Sequence, residues 1–476
     1  MPATLEYTPL EDIKKIYDRV SATYKSGVTR DLAYRRKQLL QLARAFQNHA
    51  KDIEDAVFED LGRHRLQTAV GEVSPVILNC LEAAEHLAEW AAPEKPVTEA
   101  WRASWDATIY KVPKGVALII SPWNYPFVLT FNPFIGAIAA GCPAVLKPSE
   151  ASPTCAALLT KLVAEYLDPN AYVVVNGGPA ETAELLKYRW DHIFFTGGNK
   201  VGEIVATAAA KHVTPLTLEL GGKSPVIVDV NADLELAAKR TLIGKAQNSG
   251  QICVSPDYVL VPRAIFQQFV EALDKAYKTF WPRDPLDPEF EWGKIINKQH
   301  HDRLKGMLAR TNGEIILGGQ SDEKRIAPTV IARVTKDDAL MQEENFGPVL
   351  PLVEVEDVDE AIRFVAERPI PLTLYCYTTS EETKEKLLNK TNSGSLVLND
   401  VISQLIVHEM PFGGHGHSGY GRYFGKATFD TFTHFRSFIN VPPEFEEFNQ
   451  KFRYPPFTEE TYNILSAAVK TPIPEA

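Results

Sequence analysis

The sequence predicts an α/β protein with two parallel-sheet domains in series, on three observations. The first sixty residues carry apolar positions at helical spacing. From about residue 115, short β-branched runs alternate with helical stretches, which signals βαβ units and a parallel sheet. A second series of the same kind begins near Pro225.

The elements follow in order. Thr8-Pro9-Leu10-Glu11 offers a capping residue, a first-turn proline and a glutamate three places on. Ile13, Ile16, Tyr17 and Val20 then recur at helical spacing. A second helix is expected over 32–61, with Gly62 as its C-cap. Strand-like runs follow at 116–121, 144–147, 172–176, 192–196 and 216–219. The second series places strands at 226–228, 258–261, 329–331, 349–353, 372–377 and 396–398, with helices such as 265–280 and 359–366 between them. The Pro-rich segments near 93–113 and after 440 fit neither series and read as arms or linkers. There is no internal repeat and no low-complexity stretch.

Composition narrows the class. The chain has 476 residues, 45% hydrophobic and 23% charged, ordinary for a globular protein with a large core. A formal net charge of -11 argues against a nucleic-acid partner, which usually meets a basic footprint. The five cysteines, Cys80, Cys142, Cys155, Cys253 and Cys376, are widely spaced and lack metal-ligand spacing, so neither a metal site nor a disulfide framework is expected. A reducing, cytoplasmic setting follows. The N-terminus has no cationic start and no apolar core, so it does not read as a secretory signal. No run approaches the ~18 apolar residues of a membrane span. Peripheral contact with an intracellular membrane is expected only through a tail beyond Ala476.

Several residues could carry chemistry. Cys253 follows Asn248-Ser-Gly-Gln-Ile, where glycine and serine suggest a tight turn that exposes the thiol. Taken alone, a cysteine in a helical or turn region is more often a buried apolar residue than a nucleophile. Glu219, at the carboxyl end of an expected strand and followed by two glycines, is placed to act as a general base, or simply as a solvated carboxylate. Asn124, in Ser121-Pro-Trp-Asn-Tyr-Pro126, is either a turn residue or an amide donor to a developing oxyanion. Lys147-Pro-Ser-Glu150 is either a polar loop or a ribose contact. Thr196-Gly197-Gly198-Asn-Lys-Val-Gly202 follows a strand and opens a helix, where backbone N–H groups can meet a phosphate. The ordinary Gly-x-Gly-x-x-Gly pattern is absent after the strands. Glu343-Glu-Asn-Phe-Gly-Pro348 reads as a turn before a strand, and 411–421 as a glycine-rich loop.

In order, the chain carries Pro-Trp-Asn, Lys-Pro-Ser-Glu, Phe-Thr-Gly with a later Gly, Glu-Leu-Gly-Gly-Lys, Gly-Gln-x-Cys, Glu-x-Phe-Gly-Pro and Pro-Phe-Gly-Gly. This series resembles the aldehyde dehydrogenase superfamily from about Thr8 to about Asn440. Trp123-Asn-Tyr-Pro-Phe127, Ser418-Gly-Tyr-Gly-Arg-Tyr423 and Arg453-Tyr-Pro-Pro456 look like its class 3 branch, which includes fatty, aromatic and apocarotenal aldehyde dehydrogenases. The resemblance implies a Rossmann-like cofactor domain (1–96 and 116–216), an α/β catalytic domain (217–425), a small β bridging element for dimerisation (97–115 and 426–445) and a tail (446–476). It implies Cys253 as nucleophile, Asn124 and the Cys253 N–H as oxyanion donors, and Glu219 as base for the hydrolytic water. Lys147 and Glu150 would contact the adenosine ribose, Gly197 and Gly202 the phosphates, and Glu344 and Phe346 the nicotinamide ribose, with Trp123 beside the cofactor.

The expected reaction is oxidation of an apolar aldehyde, medium- or long-chain, aromatic or polyene, to the acid through a thiohemiacetal and a thioester. NAD is the expected cofactor, with NADP as the alternative, because Glu150 would repel a 2′-phosphate held close to it. The partners are a small-molecule aldehyde and a second copy in a homodimer. A non-catalytic relative on the same scaffold and a coenzyme A-dependent acylating enzyme are the rival readings. Four departures from the family pattern stand out. Gly198-Asn199 replaces Ser-Thr, Asn345 replaces an apolar residue, Ile252 stands before Cys253 where threonine is frequent, and His415 and His417 replace small or apolar residues.

Overall fold

The computed structural model describes residues 5–475. The opening helix, Leu10–Ser26, begins after Pro9 and ends at Gly27, which adopts φ 80°. Its apolar stripe buries Ile13 and Val20. The expected cap is absent, because the Thr8 hydroxyl instead accepts the Asn176 N–H at 3.0 Å. The single helix expected over 32–61 is two, Leu32–Asn48 and Ala50–Leu61, divided where His49 leaves helical angles at φ -113° and ψ 22°. Asn and His are both indifferent helix formers, but the apolar spacing continues across them and hides the break. Gly62 closes the second helix at φ 62°.

The strands are β1 (Thr108–Pro113), β2 (Ala117–Ile120), β3 (Ala144–Lys147), β4 (Tyr172–Val174), β5 (His192–Gly197) and β6 (Leu216–Leu220). Next come β7 (Pro225–Val228), β8 (Tyr258–Pro262), β9 (Glu314–Leu317), β10 (Thr329–Ala332) and β11 (Val349–Val355). The last are β12 (Thr373–Tyr377), β13 (Ser395–Leu398), β14 (Gly419–Tyr420) and β15 (Thr433–Phe438). Both expected series are present. Strands β9 and β14 lie outside both expected series, and β1 and β15 fall in the two segments that the resemblance assigns to a small β bridging element.

By internal contacts the chain divides into two units. The first runs to Trp90 and resumes over Pro113–Thr433. It holds a six-stranded sheet of order β14-β6-β5-β2-β3-β4 and a seven-stranded sheet of order β13-β12-β7-β8-β11-β10-β9. Pairing is parallel except for β14 on β6 and β9 on β10. Strands β2, β3, β7 and β8 are buried along their whole length, as parallel strands covered on both faces must be.

The strand order positions the site. From β2 the chain adds β3 and β4 on one side, then returns to add β5 and β6 on the other. The switch falls between β2 and β5, and ligands of such sheets bind beyond the strand carboxyl ends at that point. There β2 leads into Pro122-Trp-Asn124 and β5 into Gly197-Gly198.

The second unit comprises Ala91–Val112 and the chain from His434. It pairs β1 with β15, so the 93–113 segment is more than an arm. Trp105 and Phe445 meet edge to face at 5.2 Å, and Trp101 stacks on Phe448 at 6.1 Å. Among the described residues no helix is long and apolar enough to cross a membrane.

Candidate active site

The helix Leu234–Ala246 of the second series runs into an unusual turn. Asn248, Ser249 and Gly250 take φ of 49°, 52° and 73° in succession. Non-glycine residues rarely adopt such angles, and they persist only where surroundings enforce them. Here the Ser249 hydroxyl donates to the Gly293 carbonyl at 2.9 Å. The Gln251 amide donates to the carbonyls of Asn248 at 3.1 Å and Lys294 at 2.9 Å, and its oxygen accepts the Ile296 N–H at 3.0 Å. A Cβ on Gly250 would lie 2.1 Å from the Gly347 oxygen. The turn lifts Cys253 into a half-buried position, while Cys80, Cys142, Cys155 and Cys376 are buried and free. Exposure thus separates one cysteine from four, which spacing alone could not do.

Asn124 and Glu219 reach the same locality from the six-stranded sheet. The Asn124 side-chain nitrogen donates to the Gln251 carbonyl at 3.0 Å, two residues before Cys253. Glu219 sits one residue from the end of β6, between Thr196 of β5 and Gly419 of β14. It is buried, and among the described residues neither carboxylate oxygen has a hydrogen-bond partner. Burial alone raises its pKa well above the usual carboxylate value. Burial, then the charges of Glu344 and Glu219, push the Cys253 thiol up to about 12, against a weaker pull from the N–H groups of Cys253 and Val254. Tyr423, also buried, feels the charge of both Glu219 and Cys253. The three residues expected to do chemistry are therefore neighbours.

The expected cofactor residues fall into two groups. At the end of β3 the buried Lys147 ammonium donates to Glu150 at 3.0 Å and to the Pro148 carbonyl at 2.9 Å. The Tyr7 ring reaches within 4.0 Å of a Cβ built on Gly178, which also faces Glu150 at 3.9 Å. Gly197 ends β5, and Gly202 packs on Leu220. The second group is Glu344, Phe346 and Trp123. Phe346 adopts φ 45°, and its ring meets Trp123 at 5.4 Å. Glu344 is pushed up to about 8, by burial first and then by Asp257, against a Gly222 N–H bond and the charges of Lys223 and Lys245. Gly221 admits it, since a Cβ there would stand 2.2 Å from the Glu344 carboxylate.

A dinucleotide fits these residues. The helix Asn199–Ala210 has no side-chain cap, and a Cβ on Gly198 would meet nothing within 4 Å, so its first N–H groups open onto free space beside the switch point. The departures from the family pattern also find places. The Asn199 amide donates to the His417 carbonyl at 2.6 Å, linking the glycine turn to the glycine-rich loop. Asn345 is buried, with its backbone N–H and side chain both bonded to Asp257.

Sequence reasoning missed the residues that hold this site together: Arg63, Glu72, Asn248 and Gln251. The Phe127 ring, at the end of the Trp123–Phe127 motif, is fully buried and packs edge to face on Phe46 at 6.0 Å, so it is core.

A glycine turn at the switch point of a parallel sheet, beside a half-buried thiol and a buried carboxylate, marks a dinucleotide-dependent enzyme class. Residues 3–438 match the aldehyde dehydrogenase family, and the chain belongs to that family. The dimeric NADP-preferring aldehyde dehydrogenase of Rattus norvegicus is 43% identical over 449 residues, covering 94% of this chain and 98% of its own. Aldehyde dehydrogenase family 3 member A2 of Pongo abelii is 44% identical over 442 residues, covering 92% and 90%. The 4,4'-diaponeurosporen-aldehyde dehydrogenase of Staphylococcus aureus is 39% identical over 453 residues, covering 93% and 97%. A substrate-bound Staphylococcus aureus AldH structure superposes with a TM-score of 0.91 at 37% identity, covering 96% of this chain and 99% of that one.

Proposed function

We propose that the chain oxidises apolar aldehydes to carboxylic acids with Cys253 as nucleophile and a nicotinamide dinucleotide as oxidant. One observation carries this reading. An unpartnered buried carboxylate lies close enough to a half-buried thiol to act on its charge, and a side-chain amide is tied to the same loop.

The Cys253 sulfur adds to the aldehyde carbon, and the carbonyl electron pair moves to oxygen. Because the thiol is held near 12, its proton passes to a base as the bond forms. Glu344 and Glu219 are the carboxylates whose charge reaches it. One Asn124 amide hydrogen is engaged by Gln251, which leaves the second for the oxyanion, with the Cys253 N–H as the other donor. When bound, a nicotinamide dinucleotide would accept the hydride that leaves the tetrahedral carbon, and return of the oxyanion's electron pair re-forms the carbonyl as a thioester on Cys253. Glu219 then takes a proton from water as the water oxygen adds to the thioester carbonyl, and collapse expels the thiolate and the acid. A retained base favours hydrolysis over transfer to coenzyme A.

Lys147 and Glu150 would hold the adenosine ribose, Gly197 and Gly202 the phosphates, and Glu344, Phe346 and Trp123 the nicotinamide end. Glu150 disfavours a 2′-phosphate and so favours NAD, whereas the rat relative prefers NADP by its name. That name also supports a homodimer here, and the staphylococcal name supports a polyene aldehyde among the substrates.

The test is NADH and NADPH formation with hexanal, hexadecanal, benzaldehyde and a polyene aldehyde, for wild type and Cys253→Ala. Reduction lost in the variant supports the reading, and equal rates in the two proteins overturn it. Product formation that requires coenzyme A would favour the acylating alternative.

A further inference from the structure

The Arg63 side chain is 1% exposed and ties its own segment to three others, around Glu72, Asn124 and Asn248. Its Nε donates to the Asn248 side-chain oxygen at 3.0 Å, and its Nη1 to Glu72 at 2.9 Å. Its Nη2 donates to the Asn124 carbonyl. Its guanidinium lies 4.0 Å from the Tyr125 ring centroid. Glu72, on the π-helical turn Ala69–Val73, is fully buried. Its second oxygen accepts the N–H groups of Phe127 at 3.1 Å and Val128 at 2.8 Å. The segment carrying Asn124 is thus gripped on one side by Arg63 and on the other by Glu72.

Asn248 completes the circuit. Its amide donates to the Asn124 carbonyl at 3.0 Å and to the Gln251 carbonyl at 3.1 Å. That Gln251 carbonyl is also the acceptor for the Asn124 side chain. The Asn124 amide and the nucleophile loop are therefore held to one guanidinium. A buried ion pair is a poor source of stability, because desolvation of both charges offsets their attraction, and fixing geometry is its best-attested use. A planar fork with five donors suits that task, and a lysine does not replace it.

We propose that Arg63 and Glu72 are positioning residues that set the spacing between the Asn124 amide and the Cys253 N–H across the reacting oxygen. The inference rests on the proposed oxyanion role of Asn124. Neither residue touches substrate; they act through Asn124 and Asn248.

A double-mutant cycle tests this. Arg63→Lys keeps a charge opposite Glu72 but cannot reach all three acceptors. It should lower kcat by about 10²-fold, the scale of a misplacement near 1 Å, with the KM for NAD changed less than about twofold. On an Asn124→Ala background the same substitution should cost less than about threefold, because the amide it positions is gone. Equal losses on both backgrounds, or no loss on either, overturn the positioning role. If Asn124→Ala alone retains the wild-type rate, the oxyanion assignment fails instead, and the two failures are distinct. Should Arg63→Lys not fold, Glu72→Gln, which keeps an acceptor for either Arg63 or the helix N–H groups, goes through the same cycle with the same criteria.

Discussion

Replacing Glu219 with Gln separates the two halves of the proposed reaction. The substitution keeps the shape and removes the base, so oxidation to the thioester should proceed and its hydrolysis should stall. Loss of a positioned general base costs about 10²–10⁴ in rate, which is about 2.7–5.4 kcal/mol at about 1.36 kcal/mol per decade. The structure points to the upper end. Glu344, the other carboxylate whose charge reaches Cys253, is committed to the Gly222 N–H and to the charges of Lys223 and Lys245, so it substitutes poorly. Stopped-flow absorbance should show about one NADH per active site in a burst, followed by a steady rate about 10³–10⁴ below wild type. Stability should move the other way. The raised Glu219 pKa means the folded state keeps a proton that the unfolded chain releases above the ordinary glutamate value of 4.5. Wild-type stability is therefore complete below that pH and declines as pH rises toward the folded value. Glu219→Gln should thus melt above wild type near pH 8 and with it near pH 4. An unchanged steady rate would refute the base role, and loss of the burst would move Glu219 to the first step.

Three further outcomes follow from the same geometry. Iodoacetamide should alkylate Cys253 of the cofactor-free enzyme about tenfold faster per pH unit between about pH 7 and pH 10, since a thiol held near 12 is mostly protonated there; a plateau below about pH 8 would contradict the raised pKa. Gly250→Ala should destabilise by about 1–3 kcal/mol or more through its left-handed angle and the Gly347 carbonyl, and should abolish turnover; denaturant melts and a rate assay check both. Phe127→Ala should cost about 3–5 kcal/mol as a core truncation while leaving the ranking of aldehydes by chain length unchanged; an altered ranking would place Phe127 in the substrate wall.

The parallel strands were legible because burial on both faces leaves them as unbroken apolar runs, as in Ala117–Ile120. The division at His49 was not, because apolar spacing repeats through it. Strand β14 is two residues long and owes its pairing to β6 rather than to its own composition. The chemistry-bearing residues stood out through their order along the chain. Arg63 and Glu72 could not, since a charge after Gly62 and another nine residues later read as ordinary solvated surface. Only the fold shows both to be buried. Likewise, nothing in the sequence announces that Asn199 and His417 meet, although each looked anomalous alone.

The antiparallel pairing of Gly419 with Glu219 has a consequence for synthesis. Cys253 leaves the ribosome 167 residues before Tyr420. At about 5–20 residues per second, that interval lasts roughly 8 to 33 s. Throughout it β6 has β5 on one side and an open edge on the other, so the proposed base is wetted while the thiol already exists. The nascent chain carries a cysteine without its dry, carboxylate-flanked setting, and the setting closes only when the glycine-rich loop arrives.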